Sequence, residues 1–195
     1  MRARDVGRAA TMQPSQHNNV LAELGGPQWG LLPALASLPF LLSQAGNPAG
    51  LKSMTFILLA ALMASSDVAT RRIPNQLTAL AAIGGLSWGL LAGGLPGLGQ
   101  ALLGGAVGFG IMLVFYLLGA LGAGDVKALG ALGCFLAPWA AFLLFMFTAL
   151  AGGVLAVALM IAARRGLRPA PDQTMPYGLA IAAGAFVLVM QGGLP

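Results

Sequence analysis

From Ile73 to Gly124 the chain runs for 52 residues without a charged side chain. No soluble domain can cover its surface with such a stretch. About 20 apolar residues suffice to cross a bilayer, so 52 are too many for one crossing. The natural division is a hairpin: one apolar segment over about Leu77 to Leu95, a second over about Leu98 to Leu121. The whole composition agrees. Hydrophobic residues make up 58% and charged residues 8%, against about 25% charged in soluble domains. The chain reads as an all-α, polytopic membrane helix bundle.

Further apolar segments flank the hairpin: about Ser53 to Ser66 before it, then Val126 to Leu136, Trp139 to Ala163 and Leu179 to Met190. A segment at Trp29 to Gln44 is broken by Pro33 and Pro39 and reads as an extra spanning or re-entrant helix. The total is six to seven transmembrane segments. Residues 1–28 form a polar tail expected on the cytoplasmic side. Residues 29–50 hold the extra segment and a loop, and 51–195 form one transmembrane domain. A cleaved signal peptide is disfavoured by the long polar lead.

Nine of the ten Lys and Arg residues fall in four clusters beside apolar segments: Arg2, Arg4 and Arg8; Arg71 and Arg72; Lys127; and Arg164, Arg165 and Arg168. Alternating the segments across a membrane puts all nine on one side and leaves Lys52 on the other. That is the positive-inside pattern. It argues against a nucleic-acid partner despite a net charge of +5, and names the lipid bilayer as the partner. The glycines at small-xxx-small spacing, such as Gly85 with Gly89 and Gly104 with Gly108, read as close helix contacts.

The scarcity of functional side chains narrows the chemistry. Cys134 is the single cysteine and His17 the single histidine. No disulfide framework, His-ligated zinc hydrolase or membrane-proximal Ser-His-Asp triad can be built from them. No metal or cofactor is implied. What remains is carboxylate chemistry, or none.

Two acids lie in the apolar region, Asp67 in ASSDVATRRIPN and Asp125 in GAGDVK; Asp5, Glu23 and Asp172 lie in polar tails or loops. An acid within a membrane segment is costly and marks a functional site by default. The topology above places both at the cytoplasmic end of their segments. Two nearby carboxylates cannot both ionise, so one keeps its proton. The ionised one can then take a proton from water while the protonated one donates to a carbonyl. Gly122 and Gly124 leave room beside Asp125 for an extended peptide.

Each feature has a simpler reading. Asp67 could pair with Arg71 four residues on, and Asp125 could be a helix N-cap. Arg71 and Arg72 read as topology anchors, Pro74 and Asn75 as a turn and helix start, and Lys127 as a neighbour offsetting Asp125 or snorkelling to the interface.

The spacing D-x3-RRIPN followed by GxGDxK resembles the type IV prepilin peptidases, membrane aspartyl proteases of the GxGD class. TMPYGLAIAAGAF, Thr174 to Phe186, resembles the start of that family's last helix, with Pro176, Tyr177 and Gly178 in its motif. The resemblance implies that Asp67 and Asp125 are the catalytic pair. It implies cleavage of the basic leader of a prepilin or pseudopilin at the cytoplasmic face of a bacterial inner membrane, in pilus biogenesis and protein secretion. The lack of paired Cys motifs resembles the small, peptidase-only branch of tight-adherence (Flp) pili, the TadV/CpaA type, and implies no methyltransferase activity. The first 50 residues exceed what that branch needs, which fits an upstream start or an extra helix. Three other readings are weighed against this one. A proton-coupled transporter or channel would use the two acids as a relay, but would want them near mid-membrane. A GxGD protease of other substrates fits the RRIPN and PYG segments less well, and an inert assembly factor would not need both acids.

Overall fold

A computed structural model describes residues 47–165 and 177–192, which form five helices. They are α1 (Pro48–Thr70), α2 (Asn75–Leu117), α3 (Ala123–Gly133), α4 (Pro138–Arg164) and α5 (Tyr177–Met190). The expected polar tail, the Trp29–Gln44 segment and Pro176 lie outside the described residues.

Helix α1 begins one turn earlier than its apolar run and ends one turn later. The Asn47 side chain caps the start by accepting from the Ala49 amide at 3.2 Å, with Pro48 in the first turn. Ser53 and Thr55 donate back to the carbonyls of Ala49 and Leu51 at 2.9 Å, so their hydroxyls are satisfied without water. The polar run Ser65–Ser66–Asp67 does not stop the helix. Arg71 does, in the left-handed conformation at φ 54°, with its amide donating to the Asp67 carbonyl at 2.8 Å. At 23 residues α1 is long enough to cross a bilayer.

As one straight rod, the 43 residues of α2 would measure about 65 Å. The backbone instead breaks at Gly94, whose φ of 60° and ψ of −147° only glycine adopts freely. The two arms fold back on each other, and a Cβ on Gly89 would lie 2.8 Å from the Gly97 carbonyl oxygen. The expected hairpin is therefore present, although its second arm ends at Leu117 rather than Leu121.

Helix α3 is the centre of the bundle. Every residue from Ala128 to Leu136 is buried, and Phe135 meets Phe56 of α1 edge-on at 6.0 Å. It is held by glycine-mediated backbone contact with α2. A Cβ on Gly108 would sit 2.8 Å from the Leu129 oxygen, and one on Gly104 would strike the carbonyl of Leu136. Helix α5 lies against α1 and α4. The outward faces of α2 and α4 stay apolar, with Leu91 85% and Val154 73% exposed, as lipid-facing surfaces do.

Among the described residues three helices, α1, α2 and α4, are long and apolar enough to cross a membrane. Helices α3 and α5, at 11 and 14 residues, measure about 17 and 21 Å against a core of about 30 Å. The described residues thus show an all-helical bundle with three long apolar helices, one of them folded back on itself at Gly94, and do not establish six to seven spans. The segments expected at Val126 and Leu179 are real helices, but too short to cross unaided.

The α2–α3 contact yields a paired prediction. Gly104→Ala should lower stability by about 1–3 kcal/mol through overpacking. Gly110→Ala, where an added Cβ meets nothing within 4 Å, should be neutral or stabilise by about 0.5–1 kcal/mol. Thermal unfolding of the purified variants in detergent measures both.

Candidate active site

Asp67 lies in the last turn of α1 and is buried, with 8% of its surface exposed. Its Oδ2 accepts from the backbone amide of Gly178 at 2.8 Å, a buried bond across 111 residues of sequence. Glycine is required there. A Cβ on Gly178 would sit 2.8 Å from Asp67 Cβ, 3.0 Å from Oδ2 and 3.2 Å from Ala64 Cα. The amide belongs to the second residue of α5, an unpaired donor at the positive end of a helix, where a carboxylate is favoured.

Asp125 occupies the third position of α3, not the N-cap; Gly122 is the N-cap. The Asp125 Oδ2 accepts from the Gly122 amide at 3.1 Å, so the helix-capping reading is realised from inside the helix. Asp125 lies outside the three candidate spans. Burial pushes its carboxyl up to about 6; the Gly122 hydrogen bond opposes the rise and the charge of Asp67 adds to it. The charge of Asp67 thus reaches Asp125, although the two come from different helix ends.

The segment between α1 and α2 holds the two motifs together. Ser66 and Thr70 both donate to the carbonyl of Arg72, each at 3.0 Å. Of residues 71–76 only Ile73 is buried. Its side chain lies against Gly124, where an added Cβ would be 3.6 Å away. Gly124 thus accommodates Ile73 rather than opening onto the cleft.

The cleft itself has a volume of about 670 Å³ and lies between the end of α2, α3, α4 and α5. Asp125, Gly122, Arg71 and Tyr177 line it, with Gly152 and Gly153 as the far wall. Tyr177 seats its ring on Gly152, where an added Cβ would be 2.9 Å from Cε2. Asp67 adjoins the cleft through Gly178, the chain neighbour of Tyr177.

The remaining motif residues divide. Arg71 meets Asp67 through its backbone amide, and no ion pair joins their side chains among the described residues. Pro74 caps α2 and Asn75 opens it. Lys127 donates to Asn75 Oδ1 at 3.0 Å, away from Asp125, at the mouth of a separate apolar groove. Sequence reasoning gave no role to Ile73, Ser66, Thr70 or the Gly152–Gly153 pair. A pair of adjacent glycines inside an otherwise bulky apolar helix was the available signal.

A sequence model described as the type IV leader peptidase family matches residues 54–157, more than half of the chain. Comparison with curated proteins and with solved structures returns no match. The matched region contains Asp67 and Asp125 and stops before α5, so Gly178 and Tyr177 join the site from beyond it.

Gly178→Ala should force Asp67 and α5 apart. Its expected signature is a stability loss of about 1–3 kcal/mol in detergent unfolding, with Gly153→Ala, where nothing lies within 4 Å, as the silent control.

Proposed function

This chain belongs to the type IV leader peptidase family, and we propose that it is a membrane aspartyl endopeptidase cleaving the basic leader of a prepilin or pseudopilin. The observation that carries this reading is that Asp67 and Asp125, from separate helix ends, lie close enough for the charge of Asp67 to bear on Asp125. Their environments differ: a buried backbone amide bonds Asp67, while Asp125 lines the cleft.

Asp67 is the general base. The Gly178 amide and the positive end of α5 complement a carboxylate anion. Asp125 is the general acid, since burial raises its affinity for protons and favours the protonated form up to about pH 6. Water gives a proton to Asp67 as its oxygen adds to the scissile carbonyl carbon, and Asp125 protonates the carbonyl oxygen. The carbon–nitrogen bond then breaks, the amine leaves with a proton, and the pair returns to sharing one. Gly122, with no side chain, leaves the approach to Asp125 clear.

The finer assignments follow the motif resemblance. The substrate is a prepilin of the Flp type, the site faces the cytoplasm of the bacterial inner membrane, and no methyl transfer accompanies cleavage. Detection of methyl transfer from S-adenosylmethionine to mature pilin by the purified protein would overturn the last point. Nothing in the helix arrangement favours a proton-relay transporter: both acids lie at helix ends rather than in mid-span.

Co-expression with a Flp-type prepilin, read as pilin size on a gel, tests the reading. Asp67→Asn and Asp125→Asn should each reduce cleavage by roughly 10²–10⁴-fold while inserting normally. Unimpaired cleavage by either variant would show that the pair is not the catalytic one.

The pH profile has a definite sign. Asp125 must carry its proton to act, so kcat/KM should fall as pH rises through about 6. That limb belongs to the interacting pair rather than to one residue. In Asp125→Asn any residual activity should lose it.

A further inference from the structure

We propose that Tyr177 is a third catalytic residue, its phenol hydroxyl donating a hydrogen bond to the scissile carbonyl oxygen as negative charge develops there during the addition of water, before Asp125 delivers its proton. This inference rests on the peptidase reading above and adds a group that the two acids do not supply.

The cleft is poor in polar side chains. Of its lining residues only Arg71, Asp125 and Tyr177 carry one; the others are glycine, alanine or leucine. A developing oxyanion has room for more than one donor, and Asp125 provides one. Among the side chains of the lining, the second is Arg71 or Tyr177. Arg71 is an exposed residue with a long, flexible side chain. Tyr177 is half-buried and has few rotors. Preorganised donors are the ones that stabilise a transition state effectively.

Tyr177 is held from two sides. Its backbone precedes Gly178, whose amide is bonded to Asp67, so the start of α5 is registered against the base. Its ring rests on the backbone of α4 at Gly152, which has no side chain to lift it. A Cβ there would lie 2.9 Å from Cε2 and 3.5 Å from both Cζ and the hydroxyl oxygen. The hydroxyl is thereby held beside Gly152 in the wall of the cleft that Asp125 also lines. Burial, and after it the charge of Asp125, hold the phenol above its ordinary range. It therefore remains a neutral donor at every pH where the acids work. The hydroxyl keeps its proton throughout, so the step adds no proton to the balance of the hydrolysis.

The test is Tyr177→Phe, which retains the ring on Gly152 and removes only the hydroxyl. Cleavage of a purified prepilin in detergent should show kcat lowered by roughly 10²–10³-fold, the cost of one oxyanion donor. KM and the unfolding temperature should be unchanged. Tyr177→Leu, which removes ring and hydroxyl together, should lose at least as much kcat. Cleavage by Tyr177→Phe at the wild-type rate would overturn the proposal, and a loss confined to Tyr177→Leu would assign Tyr177 to packing alone. Asp67→Asn and Asp125→Asn in the same assay separate the two levels. If both are inert while Tyr177→Phe is unimpaired, only the Tyr177 role fails. If wild type does not cleave, or the Asp variants cleave as it does, the peptidase reading falls and the Tyr177 role with it.

Discussion

A carboxylate buried in an apolar bundle must be given a partner, and here a single backbone amide is that partner. The Gly178–Asp67 bond joins the first and last described helices. Leaving such a group unsatisfied costs several kcal/mol in an apolar setting. The bond therefore decides how deep α5 sits against α1, and the absence of a Cβ at Gly178 is what permits that depth. Tyr177 is placed as a consequence, one residue away. Its ring then needs a flat surface on α4, which Gly152 provides.

Asp125 is positioned by a different means. Helix α3 is short, buried along most of its length and fixed on α2 by backbone-to-backbone approach at Gly104, Gly108, Gly130 and Gly133. Where hydrocarbon surrounds the helices, close packing of small residues replaces the hydrophobic drive available in water. A rigid α3 presents its first turn, and Asp125 in it, at a defined place. Ile73 then locks the Asp67 motif against that turn through Gly124, and the Arg72 carbonyl, accepting from two hydroxyls, holds Ile73 in register. The two acids thus come together through glycine contacts and one buried isoleucine.

Much of this was legible in the chain. Charge scarcity pointed to helices, and the uncharged run to a hairpin that Gly94 closes. The isolation of Asp67 and Asp125 among apolar residues marked the candidate site. What stayed hidden depends on backbone groups that carry no sequence signature. The amide donor to Asp67 belongs to a glycine 111 residues away, and hydropathy cannot pair such positions. Helix limits erred for a similar reason: α1 passes through a polar run because its stop is the left-handed Arg71, not a change of polarity. The lengths of the two short helices were likewise not legible, because an apolar run looks the same whether it meets lipid or protein.

The shape of the cleft bears on how a substrate would use it. An α-helix with its side chains is about 10–12 Å across, so 670 Å³ would hold little more than one turn. An extended chain advances about 3.3 Å per residue and presents each carbonyl in turn. A substrate that is helical within the bilayer must then be extended where it meets Asp125. The glycine-rich walls suit that requirement, because they offer backbone and space rather than side-chain pockets. Under the proposed reading, the site is selective first for a segment that can unwind at the membrane edge, and only then for the residues flanking the bond. On that reading, placing the acids at helix ends answers the same need: hydrolysis would consume a water molecule and release a charged leader.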